Sequence, residues 1–449
     1  MAGVEQQLRS FVYWILRDGP PLLARWAARA TNDAAALLYL DDRERWKVRV
    51  PEVQDAVRAQ GALVRTAGGR IYVSSHHGVT KEILVGDEFR SVDTTLLFPP
   101  GPLRNLYQWS TRRGFVNIIE PPSFAVMEPP EHTRYRRLVS RAFTVRAVQQ
   151  MRDQVIETVQ ELLDNLRAEA PTRSVDLMEH YCGALPVTVI AELLGVPRRE
   201  RMLLRALGDA MAPALDSGLS WRTHRQVERA GREFDMWLGE HIQRLRTDPG
   251  EDLLSRLATV SDGQDMLSEV ELKATAGFLL SAGFETTVNL LGNGVKLLLD
   301  NPSQLARLHK DPQLWPNAVD EILRYDPPVT GAIRVSRRDT AVAGIPVSAG
   351  RLIVMSGGNR DPQVFTDPHI FDIARANAKD HLAFGGGRHF CIGAALARME
   401  GEIGLRALFD AFPDIAPAQG AFRAPGRALR GWSRLPVTLG TAERRTTQR

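Results

Sequence analysis

A long apolar segment in the second half of the chain constrains the fold more than any other feature. The 22 residues between Lys273 and Lys296 contain one charged side chain, that of Glu285. A helix with apolar residues on nearly all sides runs either through a protein interior or through a membrane. The hydroxyl, amide and glycine residues of this segment argue against a lipid environment. The segment therefore predicts a central buried helix in a large protein that is mainly α with a minor β portion.

The composition is that of an ordinary soluble globular protein. Of 449 residues, 44% are apolar and 24% are charged, which excludes disorder or coiled coil for the whole chain. The 57 basic residues exceed the 53 acidic ones by only four, so nucleic-acid binding is not expected. Two cysteines indicate a reducing compartment. The apolar run FVYWIL (11–16) is too short for a signal peptide or a membrane span, and we expect a cytoplasmic protein.

Local patterns predict one domain over residues 1–449. Gly68-Gly69 marks the turn of a hairpin over 65–75, and alternation with glycine breaks predicts short strands over 333–356. We expect a frayed N-terminal segment at about 1–30 and a polar tail at 441–449. Helical periodicity is found over 51–61, 130–166, 175–194 and 392–411.

The buried helix places an acid beside an alcohol. Glu285 precedes Thr286, and Gly283 next to them is a weak helix former. A threonine hydroxyl can bond to the preceding turn, so we expect the helix to open or kink here and admit water. One interpretation is a core glutamate satisfied by a neighbouring side chain. The other is proton delivery to a bound oxygen.

A glycine-rich loop ending in a cysteine is the most informative stretch, FGGGRHFCIG (384–393). Its three glycines would let the backbone approach a flat ligand closely. Cys391 begins a predicted helix, where the helix dipole lowers a thiol pKa. A lowered pKa suits either nucleophilic catalysis or metal ligation.

Several uses of this cysteine can be excluded. His389 is two residues away, a spacing that seldom gives the geometry of a nucleophile and its base. Zinc needs several Cys or His ligands, and the one other cysteine, Cys182, has the apolar surroundings of a buried inert thiol. The glycines do not form a dinucleotide loop. A haem iron with one protein thiolate remains, held noncovalently because C-x-x-C-H is absent.

Four motifs together resemble those of the cytochrome P-450 family of haem-thiolate monooxygenases, in its soluble bacterial form. The resemblance covers most of the chain and implies the fold of that family. Haem b would lie between the long central helix and the cysteine-loop helix, with Cys391 as the axial ligand of the iron. The motifs are EPPEHTRYRRLVSRAFT (128–144), AGFETT (282–287), EILR (321–324) and FGGGRHFCIG (384–393).

The resemblance also implies roles for individual residues. Glu285 and Thr286 would guide protons during catalysis. A buried ion-pair network would join Glu321, Arg324 and Arg375 behind the cysteine loop, whereas an isolated E-x-x-R would more often be an exposed salt bridge. The remaining haem-contacting candidates are His132, Arg136, Arg334 and His389 at the two propionates, and Phe384, Gly385, Gly393 and Ala282 around the cofactor.

The partners follow from the same resemblance. The enzyme would use O₂ and electrons from an acidic ferredoxin with its reductase, which would dock near Arg134, Arg137, Arg141 and Arg398. A hydrophobic small molecule would be the substrate. Peroxide-driven oxidation and non-catalytic haem-based sensing are alternatives, and the Glu285-Thr286 pair argues against both. The pocket candidates are Val329, Ala332, Ile333 and Trp432, with Leu97, Phe98 and Val116 from the irregular 85–125 region.

The identity of the ligating cysteine is testable by spectroscopy. We predict that Cys391→Ser abolishes the red-shifted Soret band of the ferrous carbon monoxide complex, because that band marks thiolate ligation in the family. The matched variant Cys182→Ser should retain it. A Cys182→Ser protein that binds haem but lacks the band would contradict the assignment.

Overall fold

The structure is a computed structural model that describes residues 2–41, 50–69, 71–94, 98, 100–112, 115, 117–169, 174–259 and 267–440. Helices dominate it, as the periodicity predicts. The helices are α1 (Ala2–Thr31), α2 (Ala34–Leu40), α3 (Val50–Gln60), α4 (His77–Val85), α5 (Pro102–Thr111), α6 (Glu131–Ser140), α7 (Val145–Gln150), α8 (Arg152–Glu169), α9 (Ala184–Leu193), α10 (Arg201–Met211), α11 (Trp221–Thr247), α12 (Leu253–Thr259), α13 (Glu269–Asp300), α14 (Pro302–Lys310), α15 (Trp315–Tyr325) and α16 (Ala394–Ala411). Within the described ranges, no helix is long and apolar enough to cross a membrane.

Short strands form the minor β portion. The largest sheet has the order β1-β2-β8-β5-β3, in which β2 and β8 are parallel and the other neighbours are antiparallel. The hairpin of β1 and β2 is confirmed, with Val64 opposite Val73. The strands are β1 (Val64–Arg65), β2 (Ile71–Ser74), β3 (Phe89–Arg90), β4 (Val175–Asp176), β5 (Gly331–Ser336), β6 (Thr340–Val342), β7 (Ile345–Val347), β8 (Leu352–Ser356), β9 (Ala416–Pro417), β10 (Phe422–Arg423), β11 (Trp432–Arg434) and β12 (Pro436–Thr438).

Helix α13 is the predicted central helix. Ser268 and Glu271 close its first turn as a capping box, which satisfies backbone N–H groups that a helix leaves free. Its N-terminal half packs in a core with α10 and α11, and its C-terminal half in a second core with α8, α15 and α16. Two apolar cores on one helix explain why the 22 residues between Lys273 and Lys296 contain only one charge.

The expected opening of α13 is wrong. Residues 269–300 form an unbroken helix. The Thr286 hydroxyl donates a hydrogen bond to the carbonyl of Ala282 at 2.9 Å, as the sequence suggests, but this bond leaves the backbone ladder in place. Gly283 has a packing role instead, since a Cβ there would lie 2.7 Å from Ile190 on α9.

The N-terminal segment is ordered, not frayed as expected. Helix α1 buries Ser10, Tyr13 and Asp18 against the body of the protein. The carboxylate of Asp18 accepts backbone N–H groups of Gly218 and Leu219 at 2.9 and 3.1 Å. A buried carboxylate with two backbone donors holds the helix in place, and simple hydropathy does not reveal such contacts. The expected polar tail, 441–449, lies outside the described residues.

The ion-pair network at Glu321 is formed as the resemblance implies. Glu321 and Arg324 are fully buried, and Arg324 donates from Nε and Nη2 to the two carboxylate oxygens at 2.7 and 2.9 Å. Arg375 and the backbone N–H of Asp372 donate to the same carboxylate at 3.2 and 3.0 Å. The remaining N–H groups of both arginines reach carbonyls of the loop 359–370. The network thus ties α15 to the segment that leads into the cysteine loop.

Removing the shared carboxylate should destabilise the fold. Glu321→Ala leaves two guanidinium groups buried without their anion, at a cost of about 3–5 kcal/mol. We expect little soluble, haem-loaded protein, measured by expression yield and thermal unfolding. The exposed Glu161 offers a matched control, and Glu161→Ala should change stability by about 0.5 kcal/mol or less. A well-folded Glu321→Ala protein that had lost only activity would contradict a structural role.

Candidate functional site

A cavity of about 430 Å³ lies between helix α13 and the cysteine loop. It brings together residues more than one hundred positions apart in the sequence. Of the candidates named from the sequence, it is lined by Ala282, Thr286, Arg324, Val329, Ala332, Arg136, Arg334, Phe384, Gly385, His389, Cys391 and Gly393.

Cys391 lies at the wall of this cavity, ahead of helix α16. The helix begins three residues later, at Ala394, and the Cys391 N–H donates to the carbonyl of Phe384 at 2.9 Å. Burial raises the pKa of the Cys391 thiol, although the N–H of Gly393 and the charge of Arg136 oppose this. The expected lowering of its pKa is therefore wrong for the free thiol. Coordination to a metal cation deprotonates a thiol outright, so the ligand role is unaffected.

Only one of the three loop glycines borders the cavity. Gly385 lines it with a φ of +69°. Gly387 has a φ of +63°, and a Cβ on it would lie 2.4 Å from the carbonyl oxygen of Leu84. A Cβ on Gly386 would also contact Leu84, at 3.2 Å. Gly386 and Gly387 therefore let the loop pack on α4. Only Gly385 has the expected place beside a bound ligand.

Basic side chains gather at one end of the cavity. Arg136 donates to the carbonyls of Arg388 and Phe390 at 2.9 and 2.8 Å and so holds the cysteine loop. Arg334 is desolvated, which lowers its pKa. Among the described residues it makes no ion pair with a carboxylate. A partly desolvated guanidinium that lines a cavity favours an anion there.

His132 stands behind this group, outside the cavity lining. It is buried, and its ring stacks on that of Phe124 with the ring centroids 5.2 Å apart. The centroid of the His389 ring lies 4.4 Å away. Burial and the nearby cations lower the pKa of His132 to about 4, so the ring is neutral at physiological pH. Its Nε2 has no hydrogen-bond partner among the described residues, which leaves one polar atom for a ligand.

Glu128 belongs to this cluster and was missed by the sequence reasoning. Its carboxylate contacts His389 at 3.3 Å, Arg388 at 3.0 Å and the N–H of Ser91 at 2.7 Å. Burial alone would raise its pKa, but these donors outweigh that effect and lower the pKa to about 2. Glu128 opens the motif EPPEHTR, and that position was the available signal. It fixes His389 and Arg388 on one side of the cavity.

Glu285 does not line the cavity; it faces Asp209 on α10. Burial first, and then repulsion from Asp209, raise the pKa of Glu285 to about 7. The pKa of Asp209 is raised as well, mainly by burial. The two helices approach closely because residue 208 is glycine, where a Cβ would overlap the ring of Phe284. No sequence signal marks Asp209, since a pairing between separate helices depends on the fold.

Glu400 is a further buried acid that the sequence reasoning missed. It lies on α16, lines the cavity and is fully buried. Burial raises its pKa to about 8, and its Oε2 has no partner among the described residues. Its place between Leu396 and Ile403 on the apolar face of the helix was the available signal.

Two pocket candidates lie elsewhere. Ala332 and Arg334 line the cavity, so Ile333 between them on β5 points to the opposite face and is exposed, because strand residues alternate. Trp432 lies beneath the guanidinium of Arg423, at 4.0 Å, and is absent from the cavity wall. Phe98 stacks on Tyr107 at 4.9 Å. Leu97 and Val116 lie outside the described residues.

Arg134 and Arg398, both candidates for the docking surface, are held in ion pairs. Arg134 donates to Glu271 at 2.6 Å, and Arg398 donates to Asp320 at 2.7 Å. A charge that is held in an ion pair attracts a distant partner less, so Arg134 and Arg398 would contribute little to steering. Arg137 and Arg141 are exposed.

The residues present fit a haem. The cavity combines a cysteine thiol at its wall, helix α13 opposite and cationic groups at one end. The desolvated Arg334 and the unpartnered Nε2 of His132 both suit carboxylates such as propionates. The open wall at Gly385 and the ring of Phe384 leave room beside the thiol.

Comparisons with known proteins agree with this site. The profile of the cytochrome P450 family matches residues 209–417. Cytochrome P450 140 of Mycobacterium tuberculosis is 50% identical over 393 residues, which are 86% of this chain and 88% of that protein. 6-deoxyerythronolide B hydroxylase of Saccharopolyspora erythraea is 41% identical over 318 residues, 70% of this chain and 76% of that one. The structure of CYP109E1 from Bacillus megaterium in complex with testosterone has a TM-score of 0.79 at 26% identity and covers 89% of this chain and 100% of its own.

The raised pKa of Glu285 predicts a pH-dependent cost to stability. Below pH 4.5 the acid is protonated in both the folded and the unfolded chain. As the pH rises from 4.5 to about 7, the unfolded chain ionises first, and the folded state loses up to about 3 kcal/mol of relative stability. Glu285→Gln removes this cost. Its melting temperature should therefore exceed that of the unchanged chain by a margin that grows over this pH range.

Glu161→Gln, at an exposed position, serves as the control. Its melting temperature should differ from that of the unchanged chain by the same small amount at every pH. A pH-independent offset for Glu285→Gln would show that the acid ionises normally in the folded protein.

Proposed function

This chain belongs to the cytochrome P450 family of haem-thiolate monooxygenases, and we propose that it oxidises a hydrophobic small molecule with electrons from a separate ferredoxin. Proteins of the family bind haem b, and the relatives include named hydroxylases. One observation carries the assignment: the thiol of Cys391 and the hydroxyl of Thr286 line the same cavity. Both cysteines are free thiols, which suits the cytoplasmic location that we propose.

The protein supplies the iron ligand and its surroundings. Thiolate-bound haem iron activates O₂ and favours O–O cleavage. Cys391 provides the thiolate, and the charges of Arg136 and Arg398 act on its thiol in the direction of ionisation. Phe384 lines the same wall, and its ring would shield the sulfur from water. We assign Arg334 and His389, with His132 behind them, to the two propionates.

Thr286 and Glu285 would divide the handling of protons between them. The Thr286 hydroxyl lines the cavity, whereas its proton is directed to the Ala282 carbonyl, so the oxygen can accept a hydrogen bond from a water on the cavity side. Glu285 lies one residue away and faces Asp209. With a pKa of about 7, Glu285 can both release and regain a proton near neutral pH. It would pass that proton through water to the hydroxyl of Thr286.

The proposed substrate class rests on the cavity lining. Phe278, Leu279, Val329 and Ala332 contribute apolar wall around Thr286. Such a surface favours an apolar molecule, oriented by few polar groups. The relatives' names mention 6-deoxyerythronolide B and testosterone, two different compounds. The substrate's identity is therefore not carried over to this chain.

We place the electron donor on the cysteine-loop side of the protein. Helix α6 contacts the loop through Arg136 and exposes Arg137 beside it, with Arg141 just beyond its last turn. Exposed cations on and beside the helix that holds the cysteine loop would steer an acidic ferredoxin toward the haem edge.

Loss of the Thr286 hydroxyl should uncouple electron consumption from product formation. Thr286→Ala removes the group that holds the water, and positioned proton transfer contributes about 10²–10⁴ in rate. We expect haem binding and reductant consumption to persist while product per reductant falls and free hydrogen peroxide rises. Product, reductant and peroxide are measured together.

Ser281→Ala is the matched control for this experiment. Ser281 has a hydroxyl on the same helix without a hydrogen-bond partner among the described residues, and it does not line the cavity. It is a cleaner control than Thr287, which also borders the cavity. Full coupling in Thr286→Ala would refute the proton role of its hydroxyl.

The electron-transfer surface predicts a salt effect. Reduction by an acidic ferredoxin should slow as ionic strength rises, because the Debye length shortens to about 10 Å at 0.1 M. Replacing Arg137 and Arg141 by Glu should flatten this dependence in stopped-flow measurements. Arg134→Glu, at a residue paired with Glu271, should have a smaller effect. A reduction rate that changes with neither the ionic strength nor the double replacement would exclude this surface.

A further inference from the structure

Helix α1 turns its apolar side chains outward. Leu23 and Trp26 are each 75% exposed, and Val4 is 73% exposed. Leu8, Phe11 and Ile15 are also exposed. At 3.6 residues per turn these positions fall on one face of the helix. A single exposed leucine is ordinary, but an aligned row of six large apolar side chains marks an interaction surface.

Two charged side chains of α1, Asp18 and Arg25, are buried and fix this orientation. Arg25 is buried and donates to the carbonyls of Ser217 and Gly218 at 3.2 and 3.1 Å. Asp18 accepts the N–H groups of Gly218 and Leu219. Turning the apolar row inward would strand these charges, so the exposed face is a stable feature of the fold.

Helix α5 extends the apolar surface. It packs against α1, with the rings of Tyr13 and Tyr107 5.6 Å apart. Leu103 and Leu106 on α5 are 54% and 41% exposed. The two helices therefore present one apolar face, which we call the α1–α5 face.

The margin of this face is basic. The rings of Phe11 and Trp221 pack edge to face, with their centroids 5.4 Å apart. The guanidinium carbon of Arg225 lies 5.6 Å from the centroid of the Trp221 ring. Arg222 and Arg225 are exposed on the first turns of α11. At the other side Arg9 donates to the carbonyl of the exposed Arg112 at 2.6 Å.

Acidic side chains are scarce around the same margin. Of those on α1, α5 and the first turns of α11, Glu5 is paired with Arg9, and Asp18 and Glu228 are buried. The exposed charge bordering the apolar row is therefore mainly positive.

We propose that the α1–α5 face docks on an anionic lipid surface, with α1 lying in the headgroup layer. Apolar side chains flanked by arginines are what an interfacial helix uses, and the cytoplasmic leaflet is negatively charged. A second copy of the chain fits less well. A symmetric dimer through this face would bring the basic margins of the two copies together, whereas lipid phosphates neutralise them.

The test is sedimentation of the haem-loaded full chain with vesicles. Vesicles of phosphatidylcholine and phosphatidylglycerol should carry the protein down, and added salt should weaken binding. Phosphatidylcholine alone should bind far less. Replacing both Leu23 and Trp26 by Ser should lower the partition coefficient by about tenfold or more, and Arg222→Glu with Arg225→Glu should abolish the preference for the anionic lipid.

Ile370→Ser is the matched control, because Ile370 is 58% exposed on a loop far along the chain from this face. It should bind vesicles like the unchanged protein. The Soret spectrum of each variant reports that the fold is intact. Equal binding to both vesicle types, or none to either, would overturn the proposal. A dimer that the Leu23 and Trp26 replacements convert to monomer would assign the face to a second copy instead.

Discussion

The arrangement of the molecule depends on the burial of helix α13. Its thirty-two residues pack against several other helices and separate two apolar cores. Such packing requires residues without charge and several glycines, since Gly283 and Gly294 admit side chains of α9 and α16 that a Cβ would displace. The same burial sets the chemistry of the site. It raises the pKa of Glu285 and places Thr286 at the wall of the cavity.

Several buried charged side chains have partners of opposite charge, whereas two polar side chains at the cavity lack such partners among the described residues. Glu321 has four donors. Asp326 is held by Arg423 and Arg430, which keep its pKa below the ordinary value despite burial. By contrast Arg334 lines the cavity and has no carboxylate in an ion pair with it among the described residues, and the Oε2 of Glu400 has no hydrogen-bond partner among them. An unpaired buried polar group is costly, so a ligand in the cavity that pairs with Arg334 and Glu400 would offset that cost.

The cysteine loop shows how a short motif serves packing and chemistry together. Gly386 and Gly387 let it approach α4, while Gly385 leaves space on the cavity side. Arg136 on α6 fixes the loop by its carbonyls. The position of Cys391 therefore depends on two helices far away in the chain, as well as on the neighbouring α16.

The sequence by itself determined the class of fold, the central helix and the β1–β2 hairpin, and it predicts Cys391 as the ligand of the iron. These features follow from periodicity, turn residues and a motif with few chemical uses, all of which are local. The comparisons confirm the family, and the geometry confirms the ion-pair network of Glu321, whose Arg324 stands three residues away on one helix.

Only the tertiary structure decided which groups meet across elements. Asp209 reaches Glu285 because residue 208 lacks a side chain where α10 meets α13. Ile333 turns away from the cavity because the register of β5 places its neighbours inward. Helix α1 buries Arg25 and Asp18 and exposes Leu8 and Leu23 because the loop before α11 supplies backbone partners for the two charged groups. Each of these outcomes depends on distances between segments far apart in the chain, which a residue pattern does not encode.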